Sequence, residues 1–355
     1  MKSLADKPAS RAGRGPRRVT LRTIAEATGL SLSTVSLSLR GGTTLRQETR
    51  DRVAEAARRL GYVPDRAGVR LRTGKTNVIA LVLDGSEDSI DFARQMIQGI
   101  GQAIRGTRYH LTVIPEFERN QSTDTIRYIL DNRTADGVII THTGPRDRRV
   151  QMLVDADFPF VSHGRTEFYT PHAYHDFHVE TFMERAVERL ASRGCRKILL
   201  AVGDDSTTNH HNIVTAYHRA AARAGVAVDI LDTRRDGTHY RSNAEMRAEG
   251  VALSRLPERP DGIICTSEMY SIALISGLQE GGLRLGRDVQ VLYKQTSDIV
   301  PTLFPQVDSM REDVFAAGEE LTSLLLRRIA GEPVENLQTL AEPVIYWRCD
   351  NPVGG

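Results

Sequence analysis

Apolar positions recur with two different periods along the chain. From Thr20 to Leu60 they keep helical spacing, with Leu21, Ile24, Ala25 and Thr28 on one stripe, Val35 and Leu39 on a second, and Val53, Ala56, Ala57 and Leu60 on a third. The spacing predicts helices over 20–29, 32–39 and 47–60. Thr20 and Ser31 supply capping hydroxyls, and Gly29, Gly41-Gly42 and Gly61 supply the stops. A helix, a tight glycine turn, a short helix and a supporting helix make a helix-turn-helix arrangement. Tyr62-Val63-Pro64 ends it, because proline disfavours helix at the residue before it.

From Asn77 onward the pattern changes to short apolar runs alternating with amphipathic stretches. Strands are expected at 77–83, 110–114, 136–141, 158–162, 197–202, 226–231, 261–265 and 289–293. Helices are expected near 91–106, 122–132, 146–155, 180–193, 213–224, 243–255, 268–281 and 312–330, with a last strand over 343–347. Repeated βα units imply parallel sheets with helices on both faces. Two such sheets, with connections crossing between them, make two lobes and a cleft, and ligands of such folds sit beyond the carboxyl ends of the strands.

Composition narrows the classes. The 355 residues, 40% hydrophobic and 26% charged, suit two or three globular domains. The longest clean apolar run, Val78 to Leu83, is far short of the roughly 20 residues that span a bilayer. The start of the chain is basic and polar, unlike a secretory signal, and none of the three cysteines lies in a CxxC pair. The expectation is a cytoplasmic protein without cofactor. No GxGxxG or Walker sequence supports a nucleotide enzyme.

Charge is placed unevenly. Residues 1–75 carry 17 basic against 6 acidic side chains, a net of +11, and the remainder of the chain is net −9. A basic head on an acidic body suggests a module that binds a polyanion, joined to a body that does something else. The segments expected are a disordered basic tail over 1–18, a DNA-binding head over 19–64, a hinge over 65–75 and a two-lobed body over 76–355.

The stretch Val19-Thr-Leu-Arg-Thr-Ile-Ala-Glu-Ala-Thr-Gly-Leu-Ser-Leu-Ser-Thr-Val-Ser36 resembles the opening motif of the LacI/GalR family of bacterial repressors. Thr49-Arg50, Val53, Ala56-Ala57 and Leu60-Gly61-Tyr62-Val63-Pro64 match that family's third helix and its exit to the hinge. In the body, Ala135-Asp-Gly-Val-Ile-Ile140, Phe158-Pro-Phe-Val-Ser-His-Gly-Arg165, Pro260-Asp-Gly-Ile-Ile264 and Glu280-Gly-Gly-Leu-Arg-Leu-Gly286 are similar to its periplasmic-binding-protein-like sensor domain. The phrases around 158–166, 293–297 and 327–333 look most like repressors of α-glucoside utilisation.

A second helix laid in the major groove presents Leu32, Ser33, Thr34, Ser36 and Leu37 to base edges. Serine and threonine can bond bases or phosphates, leucine can pack on a thymine methyl, and strong bidentate readout falls to Arg40. Thr20, Arg22, Ser31 and Arg50 are assigned to phosphates. The resemblance implies a hinge helix on DNA that inserts Leu71 between minor-groove base pairs, with Arg70 and Arg72 beside it. Gly68 departs from the family's hinge and disfavours helix in the free protein.

In the cleft the resemblance and the strand ends point to Asp91, Phe92, Thr141, His163, Arg165, Asp176, Ser267, Glu268, Lys294 and Gln295, with Asp176 in a loop. Such side chains suit an uncharged polyol. Phe92 suits either a sugar face or a dimer or core position with Met96 and Ile100. Arg165 with Asp176, and Lys294 with Glu268, could equally be structural ion pairs. The family's usual cleft arginine aligns with Ile213, so either Asn212 takes its place or the site is shifted by a turn. His163, His172, His175, His178 and the His210-His211 pair raise a metal site as a rival, although they lack i, i+4 helical pairing. No motif pairs two carboxylates for glycoside hydrolysis.

The reading is a homodimeric repressor, not an enzyme, that binds a palindromic operator and is released by a small carbohydrate such as sucrose. Its dimer surface would include the 91–106 helix and part of the second lobe, and no leucine heptad suggests a tetramer. The alternatives are a regulator that needs a purine-type corepressor and a metal-responsive one.

Overall fold

A computed structural model describes residues 19–40, 44–63, 70, 73–84, 90–116, 123–167, 170–203, 206–233 and 241–348. Contacts divide the chain after Thr76 into two units.

The first unit holds α1 (Leu21–Thr28), α2 (Leu32–Leu39) and α3 (Gln47–Leu60). The Thr20 hydroxyl accepts from the Thr23 amide while the Thr23 hydroxyl bonds back to the Thr20 amide, and Ser31 caps α2 through the Thr34 amide. Gly29 and Gly61 end α1 and α3 at φ of +65° and +67°, a region that favours glycine. Ile24, Val35, Val53, Ala56 and Ala57 form the core. Leu39 corrects the sequence expectation. It is 37% exposed, and Ser38 is buried instead, because the inward stripe of this two-turn helix runs from residue 35 to 38. Arg40 is the C-cap of α2, and Gly41 and Gly42 lie outside the described residues.

The second unit is built on two six-stranded sheets. The chain enters the first through β1 (Val78–Asp84), α4 (Ile90–Ala103), β2 (His110–Glu116), α5 (Asp124–Asn132), β3 (Gly137–Ile140), α6 (Arg148–Asp155), β4 (Phe160–His163) and β5 (Tyr174–Phe177). It crosses at His178 into α7 (Val179–Ser192), β6 (Lys197–Val202), α8 (Thr208–Ala224), β7 (Ala227–Asp232), α9 (Asn243–Ser254), β8 (Gly262–Cys265), α10 (Glu268–Glu280), β9 (Gln290–Gln295), α11 (Ile299–Leu303) and β10 (Asp308–Arg311). It returns at Glu312-Asp313 to α12 (Val314–Ile329) and β11 (Gln338–Ala341), then crosses a third time to β12 (Val344–Tyr346).

The first sheet runs β11-β5-β4-β3-β1-β2 and the second β12-β10-β9-β8-β6-β7. Every pairing is parallel except that of β12 with β10. Parallel sheets covered on both faces need strands that are apolar throughout. Val138-Ile-Ile140 in β3 and Ile263-Ile-Cys265 in β8 meet that need and are buried along their whole length. Gly99 lets α4 settle on α12, since a Cβ there would lie 2.1 Å from the Phe315 carbonyl oxygen.

Strands β5, β10 and β11 were not expected. Their sequences, Tyr-His-Asp-Phe, Asp-Ser-Met-Arg and Gln-Thr-Leu-Ala, carry no apolar run. Asp176, expected in a loop, therefore lies within β5. Among the described residues no helix is long and apolar enough to cross a membrane.

Candidate ligand cleft and nucleic-acid face

A cavity of about 540 Å³ opens in the second unit beyond the carboxyl ends of strands from both sheets, within the usual range for small-molecule sites. Asp91, Phe92, His163, Asp176, Ser267, Glu268 and Lys294 line it.

One pole is organised by Glu312, which is almost fully buried at the crossover from β10 to α12. Its carboxylate accepts from Lys294 Nζ of β9 at 2.7 Å and lies 3.1 Å from His163 Nε2 of β4, near enough for charge attraction but not aligned as a hydrogen bond. Burial alone would raise the Glu312 pKa. The Lys294 ammonium and the His163 imidazole outweigh that and hold the carboxyl well below the usual carboxylate range. The three residues thus bring both sheets together at a crossover segment. Phe92 stands against this pole, edge-on to His163 at 5.2 Å and to His142 at 5.8 Å. It lines the cavity and also packs on the apolar cluster containing Met96 and Ile100.

The other pole is Glu268, at the start of α10, where Ser267 caps the helix. Its carboxylate accepts from the Thr296 hydroxyl at 3.0 Å and the Ser297 amide at 3.3 Å. Among the described residues it forms no salt bridge. Burial pushes its pKa up, and the nearby Asp91 charge adds to that against the opposing hydrogen bonds. Asp91 itself is engaged by Arg94 at 2.7 Å and by Gln95, whose amide also reaches the Thr296 carbonyl.

Four expected contacts are placed away from the cavity. Thr141 is buried with its hydroxyl on the Val82 carbonyl, and the chain turns at His142, φ +53°, so that His142 and Thr143 face the cleft. The buried Arg149, paired with Asp147 and Glu116, pins this turn by donating to the Thr141 and His142 carbonyls. Arg165 is a strut, bonded to Asp176 at 2.6 Å and to Glu180 of α7 at 3.0 Å. Gln295 is buried between Ser297, Asp298, Ser309 and Arg348. Asn212 is not on the cavity wall; Asn209 lies there, one turn earlier in α8, while Ile213 is core. Lys294 pairs with Glu312 rather than with Glu268.

The histidines do not converge. His172 stacks on Phe160 and bonds Ser162, His175 bonds Thr339, and His178 bonds Glu342 at 2.6 Å. Burial lowers the pKa of both His172 and His175 to about 4. Among the described residues no group of three or more His, Cys, Asp or Glu could hold a metal ion.

In the first unit, Thr20, Arg22, Ser31, Leu32, Ser33 and Arg40 are exposed, and Thr34, Ser36, Leu37 and Arg50 are partly so. Arg22 approaches Glu26 at 3.6 Å, and Arg50 donates to the Gln47 side chain. Arg40 turns back on its own helix, with Nε donating to the Ser36 carbonyl at 2.8 Å. Arg70 is exposed, and Leu71 and Arg72 lie outside the described residues.

Two family models match this chain. Residues 20–65 match the lacI family of bacterial regulatory proteins, and residues 187–348 match the periplasmic binding protein-like domain. The HTH-type transcriptional regulator AglR of Rhizobium meliloti is 29% identical over 88% of this chain and 89% of its own length. CelR of Thermobifida fusca is 28% identical over 94% and 98%. Among solved structures, a CelR–cellobiose complex superposes with a TM-score of 0.65 at 24% identity, covering 93% of this chain and 99% of that one. The lac repressor dimer bound to operator and the anti-inducer ONPF gives 0.78 at 18% identity, covering 94% and 98%.

A helix-turn-helix head on a two-sheet, cleft-bearing body is a ligand-sensing DNA-binding regulator rather than an enzyme. The chain thus carries a LacI-family helix-turn-helix domain followed by a periplasmic-binding-protein-like domain.

Proposed function

We propose that the chain is a cytoplasmic repressor that binds a palindromic operator as a homodimer and is released by an uncharged glucoside or disaccharide, such as sucrose, held in the cleft. The observation that carries the effector class is the charge state of the cavity wall. Asp91, Asp176 and Glu312 are each paired with a basic partner, and the only lining ammonium among the described residues, Lys294, is spent on Glu312. Glu268, Asn209, Asn243 and Thr296 remain to exchange hydrogen bonds, and Phe92 offers an aromatic face. That set favours hydroxyls over carboxylates or phosphates. The cellobiose bound by the CelR structure supports the same class.

On the head, Thr20, Arg22, Ser31 and Arg50 would hold phosphates while α2 enters the major groove, and Leu71 would insert at the operator centre. Coupling of about 1–3 kcal/mol between effector and operator suffices to change occupancy substantially. A thermal-shift screen of the full-length protein against sugars, purines, amino acids and divalent metals tests this reading, because a ligand of the folded state raises the melting temperature. Stabilisation by a neutral glucoside that also releases operator DNA is the expected result. Stabilisation by purines or metals alone overturns the effector class.

A further inference from the structure

The outward surface of α2 is poor in the groups that usually separate one base from another. Val35 and Ser38 face the core, which turns Ser33, Ser36, Leu37 and Arg40 outward and leaves Leu32 and Leu39 along one edge. The Ser33 and Thr34 hydroxyls each lie 2.8 Å from the capping Ser31 hydroxyl. Arg40 is the one planar donor on this arc, and its Nε is bonded to the helix's own backbone. A serine hydroxyl can donate or accept, so it discriminates weakly among base edges. A leucine gains only from the thymine C5-methyl group. Leu32 is 53% exposed and Leu37 partly exposed. They are five positions apart, about 7.5 Å along the helix axis, so both can fall within one half-site.

We propose that α2 reads its half-site chiefly through thymine methyl groups, with Leu37 and Leu32 as the specificity-determining side chains. The proposal rests on the operator-binding reading of the head. Duplex DNA is the occupant because residues 1–75 carry a net charge of +11 while the rest of the chain is net negative. Hydroxyls and arginines around the leucines then position the helix, and the leucines choose the sequence.

Full-length protein is used to select duplexes from a randomised library, and the tightest duplex is resynthesised with deoxyuridine replacing each thymine singly. Uracil keeps the hydrogen-bonding edges and removes only the methyl group. The expected result is one or two positions per half-site where uracil weakens binding about fourfold, the value of one buried methyl group. At those positions 5-methylcytosine should bind better than cytosine. Leu37→Ala and Leu32→Ala should each erase the uracil effect at one position and leave the other intact, which also shows that the variant is folded. Tolerance of uracil at every position overturns methyl readout while the operator reading stands. Uracil sensitivity that persists in both variants overturns the assignment to these leucines. Failure to enrich any sequence overturns the operator reading and this proposal together.

Discussion

Glu312 and Glu268 are carboxylates on the wall of one cavity, and their surroundings give them opposite roles. Glu312 is buried between an ammonium and an imidazole, and its charge is held in place across both sheets. Glu268 is partly exposed, accepts from the Thr296 hydroxyl and the Ser297 amide, and has its ionisation opposed by burial and by Asp91. A partnered buried charge is scaffolding, because removing one member strands the others. A lining carboxylate without a cationic partner among the described residues is the one we propose meets the ligand. Residue type and cleft location alone would have classed the two together.

The contrast is broken most forcefully at Glu312. Glu312→Ala leaves the half-buried Lys294 ammonium without its counter-charge, and chemical denaturation should read a loss of about 3–5 kcal/mol. Glu268→Gln should leave the unfolding midpoint unchanged or raise it, since a desolvated carboxylate is replaced by a neutral amide. Sugar affinity should then fall roughly 10- to 100-fold, the scale of a hydrogen bond to a charged group.

Acidification separates the groups further. His172 and His175 titrate near 4 in the folded chain, below the ordinary 6.5, so the unfolded state binds protons first. Their contribution to stability is intact above pH 6.5 and is lost as pH falls towards 4. The Glu312 contribution, with its depressed pKa, persists lower and is lost only below the ordinary carboxylate value of 4.5. Melting temperature followed from pH 7 to 3 should therefore fall in two stages. If the double variant His172→Gln, His175→Gln still shows the upper stage, its cause lies elsewhere. The smallest effect is expected on the head, where Arg22→Ala should lower operator affinity across sequences and reduce the salt slope by about one.

Much of this architecture is legible in the sequence because its signals are local. Thr20, Ser31, Gly29 and Gly61 mark the helices of the head, and Val138-Ile-Ile140 reads as a strand because both its faces are buried. What escapes is set by distant partners. Glu312 follows a polar strand with no apolar run, and its partners lie 18 and 149 positions away in sequence. Thr141 and His142 exchange places because one residue takes a left-handed conformation that Arg149 stabilises. Asn212 gives way to Asn209 because helical phase within α8 decides which residue reaches the cavity. Arg165 and Gln295 sit at plausible strand ends, yet neighbouring chain segments use up their hydrogen bonds.

The proposed function rests on an uncharged sugar held at the Glu268 pole. Calorimetric titration of the wild-type and Glu268→Gln proteins with neutral disaccharides, sucrose and cellobiose among them, tests it most directly. At least one should bind the wild type and lose tenfold or more in the variant, with the melting temperature preserved. A disaccharide that binds both proteins equally, or a wild-type protein that binds none, would contradict it.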